Sequence, residues 1–180
     1  MEIVSSYCHL RHVVTSSLDD SPDIINRQNS FIGQVNSVLC FFGKLSSAVK
    51  IRLFRSYCTS LYGCELWNLS SHQLAEFCTK WRKSVRRILN LPLQTRCYLL
   101  PLLCHCLPVF EEICGRAMNF VRSCLHHQSS LVLRSVTWYS VMHGRYRSPI
   151  GRNVLFCLHR YNCTFDELLS SNSFNDIVRP

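Results

Sequence analysis

Acidic residues are scarce. Eleven Asp and Glu stand against twenty Lys and Arg, and charged residues of both signs make up only 17% of the 180-residue chain. Long apolar runs are missing as well: none approaches the roughly 18 to 20 residues that a membrane span requires, so no membrane partner is expected. The first residues, Met1-Glu2-Ile3-Val4-Ser5-Ser6, have neither a basic nor an apolar region of the kind a secretory leader carries. Internal repeats and low-complexity tracts are also lacking, which excludes a solenoid and leaves an ordinary globular chain.

The signatures of common chemistry are missing too. There is no Gly-x-Ser-x-Gly elbow and no Cys/His pair with the flanking residues of a known nucleophile family. Gly43-Lys44-Leu45-Ser46 contains a Gly-Lys pair, but it lacks the upstream glycine and the hydroxyl residue directly after Lys that a phosphate loop needs. Cys104-His105-Cys106 and Cys157-Leu158-His159 with Cys163 offer soft ligands. No pair with the usual short gap is matched by a second such pair, so no zinc site is assigned.

What is present begins with charge. The balance is +9, with a pI near 9.1, which favours polyanionic partners and nucleic acid first among them. Hydrophobic residues reach 47%. Either the chain is a mostly buried helical bundle, or it is a fragment whose apolar surface packs on an absent partner. Twelve cysteines would suggest disulfides in a secreted chain. Without a leader, and with Cys40, Cys58, Cys78, Cys114 and Cys124 inside helical patterns, they read as reduced, small hydrophobes of an intracellular protein. Nucleus and cytoplasm fit equally.

Cys8 to Thr15 alternates weakly and is rich in β-formers, which predicts one short strand. Ser21 as N-cap and Pro22 behind it open a helix expected to run to Phe42, stopped by Gly43. Ile24, Phe31, Val35, Val38 and Phe42 share one face of about 60°, with Asn26, Asn29 and Asn36 opposite. A second helix, from Ser46 or Ser47 to about Tyr62, is apolar nearly all round and is expected to be central. Further helices are expected near 97–106, where Pro101 interrupts, and over 108–126, 130–143 and 148–161.

The clearest helix covers about 71–89. Leu74, Phe77, Cys78, Trp81, Val85, Ile88 and Leu89 fall within about 120° of arc. Lys80, Lys83, Arg86 and Arg87, with Arg82 at the edge, take the remainder, and Pro92 ends the element. Such a row can grip a phosphate backbone irrespective of base sequence. It can equally be a solvated face whose cations are drawn to the negative end of the helix dipole. A second cationic group, Arg145, Arg147 and Arg152 around Tyr146 and the helix start at Ser148-Pro149, offers a phosphate site or an ordinary connection.

The order Tyr62-Gly63-Cys64-Glu65-Leu66-Trp67, then Trp81-Arg82-Lys83 and Arg86-Arg87 on a helix, then Leu91-Pro92, resembles a known region. It is similar to the segment just after the catalytic palm in reverse transcriptases of LINE-type (non-LTR) retrotransposons. In that family this segment is the helical thumb, which grips the template–primer duplex. His9-Leu10-Arg11-His12-Val13-Val14 resembles the strand that closes the palm, with Arg11 where the pattern has Gly. Phe42-Gly43-Lys44-Leu45, Arg55-Ser56-Tyr57-Cys58, His143-Gly144-Arg145 and Ser148-Pro149-Ile150-Gly151-Arg152-Asn153 also fit, so the likeness spans residues 7–160. Such enzymes hold two metal-binding aspartates in an x-x-Asp-Asp turn between apolar strands. Leu18-Asp19-Asp20 is instead followed by Ser-Pro and an amphipathic helix, and no second carboxylate cluster exists, so the pair reads as helix-start acids.

The resemblance implies a truncated fragment without a polymerase site, hence no catalytic residue, metal or cofactor. The expected fold is all-α, an amphipathic bundle of about six to seven helices with a short N-terminal strand remnant. Residues 1–20 would be the palm remnant and linker, 21–92 a thumb-like bundle, 93–169 a helical extension and 170–180 a frayed tail. Lys80, Arg82, Lys83, Arg86, Arg87, Arg145, Arg147 and Arg152 would contact RNA or an RNA–DNA hybrid, with Trp67, Trp81, Tyr62 and Phe77 in the core. A palm domain or another protein could cover an exposed apolar face. The alternatives are a helical protein–protein interaction module and a non-functional relic of a retroelement reading frame.

Overall fold

The computed structural model describes residues 5–9, 12–144 and 146–170. These are mostly helical, with eight α-helices and one two-stranded antiparallel sheet, and they divide into two compact units. The tail beyond 170, Arg11 and Arg145 lie outside the described residues. No helix among those described is long and apolar enough to cross a membrane.

The first unit comprises the described residues up to Tyr62 together with Ser71–Val109. The expected single strand is a hairpin, β1 (Ser6–His9) paired with β2 (His12–Thr15), with Ser6 opposite Thr15 and His9 opposite His12. A lone strand leaves its backbone donors and acceptors unpaired, and pairing with the preceding residues satisfies them. Helix α1 (Ser21–Phe42) has the predicted bounds, but its cap sits earlier than Ser21. Asp19 carboxylate accepts from the Ser21 amide at 3.0 Å and from its hydroxyl at 2.7 Å, which holds the Asp19 carboxyl below its ordinary pKa. Asp23, fully buried in the first turn, accepts from the Val13 amide at 2.9 Å, and its other oxygen lies 2.9 Å from His12 Nδ1. One buried carboxylate thus ties the hairpin to α1. Beyond Phe42, Gly43 runs so close to the Leu39 carbonyl that a Cβ would lie 2.5 Å from its oxygen.

The second helix is neither long nor central. Helix α2 (Ser47–Leu53) gives way to a wider π-turn at Phe54–Cys58, where Ser56 hydroxyl donates back to the Arg52 carbonyl. Phe54, Cys58 and Leu61 are buried, whereas Val49 and Tyr57 are exposed. The core forms where α1 meets α3 (His72–Ile88). Phe31 packs edge-on against Phe77 at 5.4 Å and Phe54 at 6.0 Å, and Phe54 lies 6.3 Å from Trp81. Asn26, Asn29 and Asn36 face solvent as expected, but Phe42 is 40% exposed. Helix α4 (Leu99–Cys104) carries Pro101 in its first turn, where a missing amide costs nothing, and buries Leu100 and Cys104. The segment 93–109 thereby joins the unit of α1–α3, not the helices that follow.

The second unit comprises Gly63–Ser70 and the described residues from Phe110 onward. Gly63 takes a φ of 84°, a left-handed conformation open to glycine, and starts the 3-10 turn Cys64–Leu66. Trp67 and Leu69 are buried. The buried Asn153 amide donates to the Trp67 carbonyl at 2.7 Å, and its oxygen accepts from the Leu69 amide at 3.1 Å. Helices α5 (Val109–Leu125), α6 (Leu131–Met142) and α7 (Pro149–Tyr161) fall where predicted, with Ser130 and Ser148 capping the last two. Helix α8 (Phe165–Ser170) was not anticipated. Its signal is a capping box: Glu167 Oε2 accepts from the Thr164 amide at 2.7 Å, and Thr164 Oγ1 accepts from the Glu167 amide at 3.3 Å.

Candidate nucleic-acid interface

Helix α3 is built to present one face. Ser71 hydroxyl accepts from the Leu74 amide, which starts the helix, and Leu74, Phe77, Trp81, Val85 and Ile88 are buried along its inner side. With the inner side anchored, the register of the outer side is settled. His72, Glu76, Lys80, Lys83 and Arg87 then lie on one stripe within about 80° of arc. Lys80 is half-buried, while Lys83 and Arg87 are exposed. Among the described residues no ion pair holds any of these three cations. Glu76, the one acid on the stripe, faces His72 at 3.6 Å. From Lys80 to Arg87 the cations cover about 10 Å of helix axis.

The other two cations of this helix behave differently. Arg82 is half-buried and donates to its neighbour Thr79 at 3.0 Å, which keeps it at the edge. Arg86 is only 8% exposed. Its guanidinium donates to the Thr95 carbonyl through Nη2 at 2.6 Å and Nε at 3.3 Å, and it lies 3.3 Å from Cys97 Sγ. Arg86 holds the turn after Pro92 against the helix. The periodicity places 86 a full turn from 82, on the flank where that turn folds back, so the stripe open to a phosphate backbone is Lys80, Lys83 and Arg87.

Of the second cationic group, Arg147 and Arg152 are exposed and belong to the second unit. Arg147 lines an open cleft of about 420 Å³ with Tyr139, His143 and Tyr146. Trp67, Trp81 and Phe77 are core residues as expected. Tyr62 is not: it is 53% exposed, with the Arg27 guanidinium 5.9 Å over its ring.

No protein-family model, curated protein or solved structure matches the chain.

The cysteines are all free thiols. Burial pushes Cys58 up to about 11 and Cys64 up to about 12. The Cys104 thiol is raised by its hydrogen bond with Cys106 and by burial, and Cys157 by Cys114 and by burial. Such thiols stay protonated at neutral pH and make poor nucleophiles and poor ligands. Cys40, read as a small hydrophobe within a helix, is exposed, as are Cys8 and Cys97. Among the described residues no group of His, Cys, Asp or Glu is arranged to hold a metal ion.

Proposed function

We propose that this chain is a thumb-like fragment of a retrotransposon reverse transcriptase that holds RNA or an RNA–DNA duplex by its phosphates. The carrying observation is the row Lys80, Lys83 and Arg87 on a helix whose opposite side is buried, with no acid among the described residues bound to any of the three. Cations held at fixed spacing on a rigid element meet phosphates without a large ordering cost. The likeness of Tyr62–Trp67, Trp81–Arg87 and Leu91-Pro92 to the thumb supports the assignment.

The test is fluorescence anisotropy with a labelled RNA–DNA hybrid. Three phosphate contacts predict that affinity falls about 40-fold between roughly 50 and 200 mM salt. The variant Lys80/Lys83/Arg87→Glu should abolish binding while leaving the fold intact, because these side chains make no ion pair among the described residues. Arg86 is excluded from it, since its loss would open the turn at Thr95. Salt-independent binding, or binding unchanged in the variant, would reject the proposal.

A second reading rests on the apolar surface of the first unit. Leu93, Tyr98, Leu102 and Leu103 are exposed around α4. That surface suits a protein partner, a palm domain among the candidates, and makes the chain an interaction module. A partner captured through Leu102, indifferent to salt and to the α3 cations, would favour this reading.

A further inference from the structure

From Ile113 to Phe165 the sequence has no Asp or Glu, but it has seven arginines and four histidines. Of the acids that border this stretch, Glu111, Glu112 and Glu167 are engaged, while Asp166 is exposed. Glu111 binds Arg160 at 2.8 Å, Glu112 binds Arg116 at 3.0 Å, and Glu167 folds onto Thr164. Helix α6 and the start of α7 therefore carry no acid of their own.

Two open clefts adjoin here, since Tyr139 and His143 line both. The larger, about 550 Å³, is lined by Trp138, Arg134 and His126, and the smaller, about 420 Å³, by Tyr146 and Arg147. Both fall within the range of ligand clefts, roughly 300–1,000 Å³. Neither has a carboxylate in its lining. Trp138 is 48% exposed, Tyr139 66% and Tyr146 80%. Phe165 braces the edge of Trp138 at 6.0 Å, and His143 lies 5.3 Å from the Tyr139 ring. Trp138 and Tyr139 are thus each braced by a neighbouring ring, and Tyr146 stands open to solvent.

We infer that this groove binds single-stranded nucleic acid by stacking bases on Trp138, Tyr139 and Tyr146 while Arg134 and Arg147 meet the phosphates. Aromatic faces accept any base, and interleaved cations follow the backbone, which is the pairing that sequence-tolerant single-strand sites require. A protein or a second copy could instead use the aliphatic edge beside Tyr139, where Leu131, Val132 and Val136 are exposed. An arginine without a carboxylate in each lining, and the aromatic character of both clefts, favour the strand. The site lies on other residues than the α3 stripe, so it stands or falls independently of the duplex reading.

The experiment titrates the full chain with oligo(dT), oligo(rU) and an abasic phosphodiester strand, each of about 12 nucleotides. Trp67 and Trp81 are buried, so a stacked base reports through Trp138 fluorescence. Base-bearing strands should bind and quench, and the abasic strand should bind about tenfold more weakly without quenching. Tyr146→Ala removes a ring that is mostly in solvent and should weaken oligo(dT) about tenfold, with the fold unchanged; Trp138→Ala should abolish the quench. Lys80/Lys83/Arg87→Glu should leave the quench intact. Preference for the ribose strand would identify RNA as the ligand, and equal binding would identify either strand. Equal binding of abasic and base-bearing strands, or full affinity in Tyr146→Ala, would overturn the inference. So would concentration-dependent dimerisation that Val132→Glu prevents and that excludes the strand.

Discussion

Asn153, in the middle of α7, completes the backbone hydrogen bonding of Trp67, which precedes it by 86 positions, through a 2.7 Å bond to the Trp67 carbonyl. The same amide accepts from Leu69 at 3.1 Å, so one side chain serves as the pairing partner of a short extended segment. Both hydrogen bonds are buried, and no strand among the described residues lies beside this segment. Replacing Asn153 by Ala should cost roughly 2–4 kcal/mol, because two buried polar groups lose their partner. Asn153→Asp keeps the acceptor for Leu69 but sets an anion against the Trp67 carbonyl, and should be worse still. Urea denaturation with unchanged slope would measure both. A loss under about 0.5 kcal/mol would show that water replaces the amide.

Arg86 and Lys83 should separate in opposite senses. Lys83→Ala should alter stability by less than about 0.5 kcal/mol, as for an unpaired surface residue. Arg86→Ala should cost about 2 kcal/mol, since the Thr95 carbonyl loses a charged donor. Arg86→Lys should recover little of it, because a point charge cannot reproduce the two bonds made through Nε and Nη2. Thermal unfolding ranks the three. Equal effects would mean that Arg86 is a surface cation after all.

The buried thiols predict an alkaline limit to stability. Cys58 and Cys64 keep their protons in the folded state up to about 11 and about 12, against an ordinary value of 9.0. Below pH 9.0 both states are protonated and the thiols add no pH dependence. Above it the unfolded chain ionises first, so stability should fall by about 1.4 kcal/mol per pH unit for each thiol, from 9.0 to about 11 for Cys58 and to about 12 for Cys64. Denaturation midpoints at stepped pH, compared with Cys64→Ala, would test this. A thiol reagent should modify exposed Cys8, Cys40 and Cys97 rapidly and Cys64 only on unfolding.

Thr164 and Glu167 predict an acid-sensitive end. The backbone hydrogen bond from Thr164 lowers the Glu167 pKa, so its contribution is present above the unfolded value and is lost as pH falls through the folded one. Hydrogen exchange of the amides in α8 should therefore accelerate in acid before that in α5 or α7. Glu167→Gln should remove the pH dependence while retaining part of the cap. Uniform exchange of α7 and α8 at every pH would count against it.

The helices of this protein are legible in its sequence because their causes are local. Ser71, Ser130 and Ser148 stand at the right offset to accept from Leu74, Leu133 and Gly151, and the apolar spacing of α1 and α3 predicts Ile24, Phe31, Phe77 and Trp81 as core. The capping box of Thr164 and Glu167 is equally local. Other features depend on partners distant in the chain. That the strand is a hairpin follows from pairing and from Asp23 reaching Val13. Helical periodicity alone gives all five cations of α3 to solvent. Only the return of the chain after Pro92 shows that Arg86 serves Thr95 while Lys80, Lys83 and Arg87 stay open. The alternation of side chains around a helix is set by its own geometry, but which flank another segment covers is set by where the chain goes next.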